Sequence, residues 1–569
     1  MSRLRPVLLV FILSSVISQS PAQRTITIDP TAPRQTFEGW GTSLAWFANG
    51  VGGWPDPQRD RLAAALFDPK TGLGLTYIRF NIGGGDNPHN PKPIRLPQND
   101  MPGYEPTPGH FDWSADANQR WIMQKAQSYG ANLIEAMSYS PPYWMTISGT
   151  SEGAADGGSN MQQKYFGHQS GGFADYLTTV VAHYHDAWGI TFRTLDPLNE
   201  PLPRWWRSDD RKQEGAHFSI EEQDKLLRDT GLSLASKHLL TTVSAPDENN
   251  IDNTVKELRA YSSAAKTKIS QVNTHSYGGT QRSALQDLAA ADGKRLTMSE
   301  WGSSDPTGKQ LSQQIQRDIT GMDAVSWSIW QPDWPSLFKI DYQKQQFSLT
   351  PLYAIYGNYT RFIRPGYQFL PTDDPTTLSA YDFNTKTLVI VEQNWTASPA
   401  TLTFNLSGFT LKDSTVTTHR ASGATLAIIS TTPSAAHSFT AEAPPQSVTT
   451  YVISGASINA PTTPIPIRGK RTLNRIDDSI TVPFTGSQAR LYGDFGPSQG
   501  IAAFSIDGGA ETDVDLYAPK QADNLVIFST PLLKEKNHTL KVRVTGLKNP
   551  ASFGYAVTTT HADIASPHL

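Results

Sequence analysis

The chain has 569 residues, of which 38% are hydrophobic and 18% charged, and its 48 Lys plus Arg against 52 Asp plus Glu give a formal net charge of −4. That length exceeds a small stapled scaffold and suffices for roughly three to four domains of about 150 residues, and the composition is that of folded rather than disordered chain. The near-balance of charge excludes a broad basic footprint for nucleic acid, and the absence of cysteine excludes disulfides, thiolate nucleophiles and Cys-ligated zinc.

At the N-terminus Arg3 and Arg5 precede an apolar run from Val7 to Ile17, and small residues follow up to Ala22. This is the layout of a secretory signal peptide over 1–22, and about 11 apolar residues are too few to span a bilayer. The expectation is a secreted protein, extracellular or periplasmic, whose mature form is not bound to a membrane.

Between residues 36 and 360, short β-rich runs alternate with amphipathic stretches. Eight candidate strands are Thr36–Gly41, Thr76–Ile82, Asn132–Ser138, Thr191–Leu198, Leu240–Ala245, Ile269–His275, Arg295–Ser299 and Asp323–Trp330. Helical periods at Asp60–Phe67, Asp116–Tyr129, Phe173–Trp188 and Ile220–Leu239 separate them, as parallel β/α units require. Eight such units spell a (β/α)8 TIM barrel. A doubly wound sheet is the rival, but no glycine-rich phosphate signature follows any strand, and Gly83-Gly84-Gly85 reads as a tight loop.

Past Arg364-Pro365-Gly366 the helical period disappears. Alternating runs at 378–391, 400–406, 415–420 and 448–453 predict a β-sandwich over 361–453 that takes a first strand from 23–35, where Arg24–Ile28 is strand-like. Residues 454–466, rich in Pro, Ser, Thr and Ala, read as a linker. Further alternation over 467–569, with Asp507-Gly508-Gly509 as a turn, predicts a second all-β, jelly-roll-like domain.

Chemistry in such a barrel sits at the C-terminal ends of the strands. Glu200 ends the fourth candidate strand in Asn199-Glu200-Pro201, and Glu300 ends the seventh in Ser299-Glu300-Trp301-Gly302. Either alone reads as an ion-pair or loop-capping residue. Together, at strands four and seven, they are the two facing carboxylates that glycosidic cleavage needs, one to protonate the leaving oxygen and one to meet the positive charge at the anomeric carbon.

These motifs, with Phe37-Glu38-Gly39-Trp40-Gly41, Ser138-Tyr139-Ser140-Pro141-Pro142-Tyr143-Trp144-Met145, Gln213-Glu214-Gly215-Ala216-His217-Phe218 and Phe362-Ile363-Arg364-Pro365-Gly366, resemble glycoside hydrolase family 30. Within it they most resemble the endo-β-1,6-galactanase branch. The resemblance covers about residues 24–453 and implies a barrel fused to a side β-sandwich, no cofactor, no metal, and a polysaccharide or oligosaccharide substrate. It implies Glu300 as nucleophile and Glu200 as acid and then base, with retention of configuration and carboxyl groups about 5 to 5.5 Å apart. It also implies that Asn199 binds the sugar 2-hydroxyl, that Arg79 orients the nucleophile, and that His275 and Tyr277 at the end of strand six support the pair. Trp40, Trp144, Trp205, Trp206, Trp301, Trp330 and Trp334 are candidate subsite walls, since sugar C–H faces stack on aromatic rings, with Trp330 as the floor beneath the cleaved sugar. Any of them has core packing as its alternative.

Family members usually read S-N-S-P-P-W-W-M at the third strand, whereas this chain has Tyr139 for the Asn and Tyr143 for the first Trp, which puts the glycone contacts in doubt. Residues 490–556 resemble galactose-binding-like jelly rolls and read as either a carbohydrate-binding module or a passive spacer. The expected protein is a monomeric, retaining endo-β-1,6-galactanase. The alternatives left open are a β-1,6-glucanase, a glucuronoxylanase, an exo-acting β-galactosidase, fucosidase or glucosidase, and a noncatalytic glycan-binding protein.

Overall fold

The computed structural model describes residues 22–565 except 91–99, 211, 335, 412–413, 434–436, 460–461, 466–469, 532 and 535. The expected signal peptide therefore lies almost wholly outside the described residues. Eight parallel strands close into a barrel in chain order: Gly39–Ser43, Tyr77–Asn81, Leu133–Met137, Thr194–Asp196, Thr242–Glu248, Ile269–His275, Arg295–Trp301 and Ser326–Ile329. Each lies in or overlaps one of the candidate runs. Their residues are almost all buried, because parallel strands covered by helices are wrapped on both faces and read as near-continuous apolar runs.

The helices between them end where local chemistry stops them. Ile220–Ser236 starts at a capping box, in which Ser219 Oγ accepts from the Glu222 amide and the Glu222 side chain accepts from the Ser219 amide. Phe173–Trp188 stops at Gly189, whose φ of 66° is left-handed, a conformation glycine takes without a Cβ penalty. The N-terminal mouth is closed by Glu38, whose carboxylate accepts from Arg193 and, at 3.0 Å, from Arg295. Burial would raise that carboxyl, but the two guanidinium groups hold it below its ordinary value. The Phe37–Gly41 motif thus serves the floor of the barrel.

The side sandwich packs a six-stranded sheet, from Gln368–Leu370 to the edge strand Thr425–Pro433, against a three-stranded one. In the latter Ala22–Thr27 runs parallel to Ala400–Asn405, so the start of the described chain is built into this layer. Ile26, Leu402, Phe404, Ile390 and Tyr451 fill the space between the sheets.

The segment expected as a linker is not free chain. Ser457–Ile458 pairs with Phe409–Thr410, and Thr462–Ile465 pairs with Ala562–Ala565. The tail is a sandwich of five- and four-stranded sheets around Leu491, Phe504, Leu540 and Val542. It is docked against the rest of the molecule. The Arg490 guanidinium lies 3.8 Å over the Phe383 ring of the side sandwich. Asn384 exchanges two hydrogen bonds with the Val526 backbone, and Asp513 faces Arg295 and Arg193. Those two arginines lie at the N-terminal ends of their strands, so the tail sits at the barrel face opposite Glu200 and Glu300. Among the described residues no helix is long and apolar enough to cross a membrane.

Candidate active site

A dry barrel interior tolerates a charge only if it is paired and hydrogen-bonded, and the centre of this barrel is built around that requirement. Glu135, on the third strand, is buried and accepts from Tyr77, Arg79, Thr194, Ser244, Gln271 and Asn273, at 2.8 to 3.2 Å. These donors come from the second, fourth, fifth and sixth strands. With Glu135 fixed, Arg79 is fixed. Its guanidinium, fully buried, spends Nε on Glu135 at 3.2 Å, Nη2 on Asp247, and Nη1 on Glu300 at 3.2 Å.

Glu300 thus receives Arg79 on Oε2, while Tyr277 donates to Oε1 at 3.0 Å and Tyr139 lies 3.5 Å from Oε2. Burial pushes its carboxyl up, against the pull of His275 and Arg79. Across the mouth Glu200 accepts from His275 Nδ1 at 3.0 Å. The backbone of Glu200 is left-handed, at φ 44°, a strained conformation of the kind that persists only when its surroundings over-determine it. Here its amide donates to the Asp247 carbonyl and its carbonyl accepts from Trp206 Nε1, both at 2.9 Å. Two residues on, the Leu202 amide donates to Glu248 at 2.6 Å. The end of the fifth strand therefore sets the height and angle of the Glu200 loop.

His275 bridges the two halves, with Nδ1 toward Glu200 and, at 3.6 Å, Glu300, and Nε2 3.3 Å from Asp247. Burial opposes its charge, but Glu300 and Asp247 outweigh it and hold the imidazole well above its ordinary value. Asp247 answers in the opposite sense. Burial would raise it, yet Arg79, His275 and the Ser299 hydroxyl bring it down to about 2. Single ligand atoms of Glu200, His275 and Glu300 lie within 4.8 Å of one another. Arg79 Nη1, 3.2 Å from Glu300 Oε2, places a fixed positive charge beside this group. His217 turns Nδ1 toward the Pro203 carbonyl and is not in this cluster.

The aromatic candidates divide. Trp40 is not a subsite wall: it is fully buried, donates its indole N–H to the Ile363 carbonyl, and packs on Phe37, Trp327, Tyr356 and Tyr359. It faces the surrounding shell rather than the mouth. Trp301 is likewise buried, against Trp327. Trp144 is half-buried and tied to the Glu105 carbonyl and the Tyr165 ring. Trp330 lies in a buried cluster with Ala45, Met137 and Tyr139, beside Trp46. Trp205, Trp334 and Tyr277 are the exposed rings of the mouth. Trp334 covers Gly302, where any Cβ would come within 2.4 Å of its ring, and so lies beside Glu300. Asn199 is buried with its side-chain oxygen unpartnered.

Sequence reasoning missed Glu135, Asp247, Glu248 and the anchoring role of Trp206. It also did not place Glu214, which accepts from Asn81 and from the Gly84 amide at 2.7 Å, holding the triple-glycine loop. Burial pushes that carboxyl up to about 8.

Two buried-edge carboxylates, one hydrogen-bonded to an imidazole and one to an arginine and two phenols, are an arrangement capable of acid–base and nucleophilic chemistry. Residues 23–299 match the model of O-glycosyl hydrolase family 30. An endo-β-1,6-galactanase of Hypocrea rufa is 32% identical over 433 residues, 71% of this chain and 88% of that protein. The chain belongs to glycoside hydrolase family 30. It is a glycoside hydrolase, and polysaccharide is the substrate class that follows. An exo-β-1,6-galactobiohydrolase of Bifidobacterium longum is 26% identical over 416 residues, 54% of this chain and 27% of that longer protein. Among solved structures, the catalytic domain of a family 30 xylanase C from Talaromyces cellulolyticus superposes with a TM-score of 0.58 at 19% identity, covering 76% of this chain and all of that one. At that identity the likeness concerns the barrel with its side sandwich. In this family 30 chain the tail lies beyond the stretch matched by the family model.

Proposed function

We propose that the protein is a retaining endo-β-1,6-galactanase acting on arabinogalactan-type side chains. The observation that carries the mechanism is the approach of Glu200 and Glu300 oxygens to within 4.8 Å across the barrel mouth, at the short range that double displacement needs rather than the wider gap that accommodates a water in inverting enzymes. The galactan preference is supported by the 32% identical relative. Glu300 attacks the anomeric carbon as Glu200 passes its proton to the departing oxygen. Glu200 then takes a proton from water as that water displaces Glu300. Asn199 offers its unpartnered oxygen to a sugar hydroxyl, and Trp205 and Trp334 flank the chain on either side of the cut. Residues 1–22 act as an export leader, and the mature enzyme works outside the cytoplasm as a monomer. The tail engages glycan away from the cleft.

The test is a product profile on de-arabinosylated arabinogalactan, β-1,6-glucan and glucuronoxylan. A ladder of β-1,6-galacto-oligosaccharides, first released as β-anomers, is expected. In Glu300→Gln the ladder should vanish, and in Glu200→Gln it should fall about 10²- to 10⁴-fold. Galactobiose alone would favour the exo-acting reading of the second relative, cleavage of another polymer alone would discard the substrate, and α-anomers would discard retention.

A further inference from the structure

Tyr139 is the departure at the third strand that the proposed mechanism does not use. It is 3% exposed, and its ring stands edge-to-face on Trp330 at 5.8 Å, which in turn stands edge-to-face on Trp46 at 5.0 Å. This box fixes the ring in one place, because edge-to-face pairs fix orientation as well as area. A phenylalanine would fill the same volume. The hydroxyl is what needs a reason, since a buried O–H without an acceptor costs stability, and among the described residues its side-chain acceptor is Glu300 Oε2 at 3.5 Å. That is the oxygen also held by Arg79, whereas Oε1 is held by Tyr277.

We propose that Tyr139 is a positioning residue for the nucleophile, a second phenol that clamps Glu300 Oε2 beside Arg79 and steadies the carboxylate as it leaves the sugar. This rests on Glu300 being the nucleophile. In the first step the Glu300–C1 bond forms and the C1–oxygen bond breaks, the proton going from Glu200 to the leaving oxygen. The carboxylate charge is consumed and the phenol's hydrogen bond weakens. In the second step water oxygen bonds to C1, its proton goes to Glu200, and the Glu300–C1 bond breaks. The returning charge meets the Tyr139 and Tyr277 hydroxyls and Arg79. Hydrogen bonds of this kind are often long in unliganded enzymes and tighten once substrate is bound. Burial and Glu300 push the Tyr139 phenol well above its ordinary value, so it is a donor throughout. The other charged groups facing Glu300 are Arg79, Glu200, Asp247 and His275, and all are unchanged in a Tyr139 variant.

The experiment uses the full chain and an activated 2-deoxy-2-fluoro-β-galactoside, with peptide mapping to locate the label. Label on Glu300 in wild type establishes the nucleophile; label elsewhere, or none, refutes that assignment and this proposal with it. With Glu300 labelled, Y139F should release the label about 10-fold more slowly and should show the acid limb of its trapping rate displaced to higher pH, because losing a donor favours the protonated carboxyl. Its Tm should stay near wild type, since the ring and its Trp330 contact remain. Release and pH profile both equal to wild type would overturn the proposal. Should Y139F fail to fold, a crystal structure of Glu200→Gln with an intact β-1,6-galacto-oligosaccharide in the cleft decides: Tyr139 Oη within about 3.2 Å of Glu300 Oε2 is expected, and a separation beyond hydrogen-bond range overturns it.

Discussion

Asp247→Asn removes one negative charge from the centre of the site while keeping its shape, which makes its effect calculable. Asp247 is fully buried between Arg79, His275 and Ser299. Burial alone would raise its carboxyl, yet these partners hold it at about 2 against an ordinary 3.8, a difference that converts to about 2 kcal/mol of folding stability. A carboxyl depressed in the folded state contributes fully well above 3.8, contributes about half near pH 3, and contributes nothing once the pH has fallen through about 2. The asparagine amide also turns donors toward Arg79, leaving a buried cation short of a counter-charge, which takes the expected total at pH 7 toward about 3–5 kcal/mol. The assay is unfolding of wild type and variant at pH 7 and pH 3, with kcat/KM alongside. The gap should be large at pH 7 and smaller by about 1 kcal/mol at pH 3, and kcat/KM should fall because Arg79 and His275, which touch Glu300 and Glu200, lose a shared partner. A gap below about 1 kcal/mol at pH 7 would mean that the ion network does not hold the charge as described, and a gap equal at both pH values would refute the titration argument.

Two further outcomes separate packing from binding. Trp40→Ala should cost about 3–5 kcal/mol in unfolding, as aromatic truncations in a core do, with KM little changed in the surviving folded enzyme. Trp205→Ala should leave stability within about 0.5 kcal/mol and raise KM for polymer; an unchanged KM would remove Trp205 from the cleft. Deleting residues 470–565 should lower the Tm of the remaining barrel and side sandwich, because Phe383 and Asn384 lose Arg490 and Val526 as partners. An unchanged Tm would contradict the docked arrangement of the tail.

Much of this architecture is written in local pattern. Parallel strands buried on both faces give apolar runs, and the helices between them give a 3.6-residue period, so eight β/α units are legible without coordinates. The same reading finds Glu200 and Glu300, because a carboxylate directly after a barrel strand has one place to be. It locates His275 and Tyr277 at the end of the sixth strand for the same reason, whereas Arg79 lies in the middle of the second. It does not reveal their partners. Arg79 meets Glu135, Asp247 and Glu300 at separations of 56, 168 and 221 residues, and only closure of the barrel brings such positions together. Asp247 and Glu248 end the fifth strand, yet their task is to hold the Glu200 loop, Asp247 through the Glu200 amide and Glu248 through the Leu202 amide, contacts with no trace in composition or period.

Side-chain direction is the other thing that sequence leaves open. Trp40 and Trp330 both lie on barrel strands, and only the twist and tilt of the closed barrel turn the first toward Tyr356 and Tyr359 in the shell and the second toward Tyr139 beside Glu300. The Pro- and Thr-rich segment before the tail has the composition of a linker but pairs as strands because neighbouring sheet edges present unpaired backbone groups to it. Sequence by itself determined the elements, their order and the two carboxylates. The tertiary structure decided which charges share a buried site, which rings meet water, and where the tail rests, since each of these depends on groups far apart in the chain meeting in space.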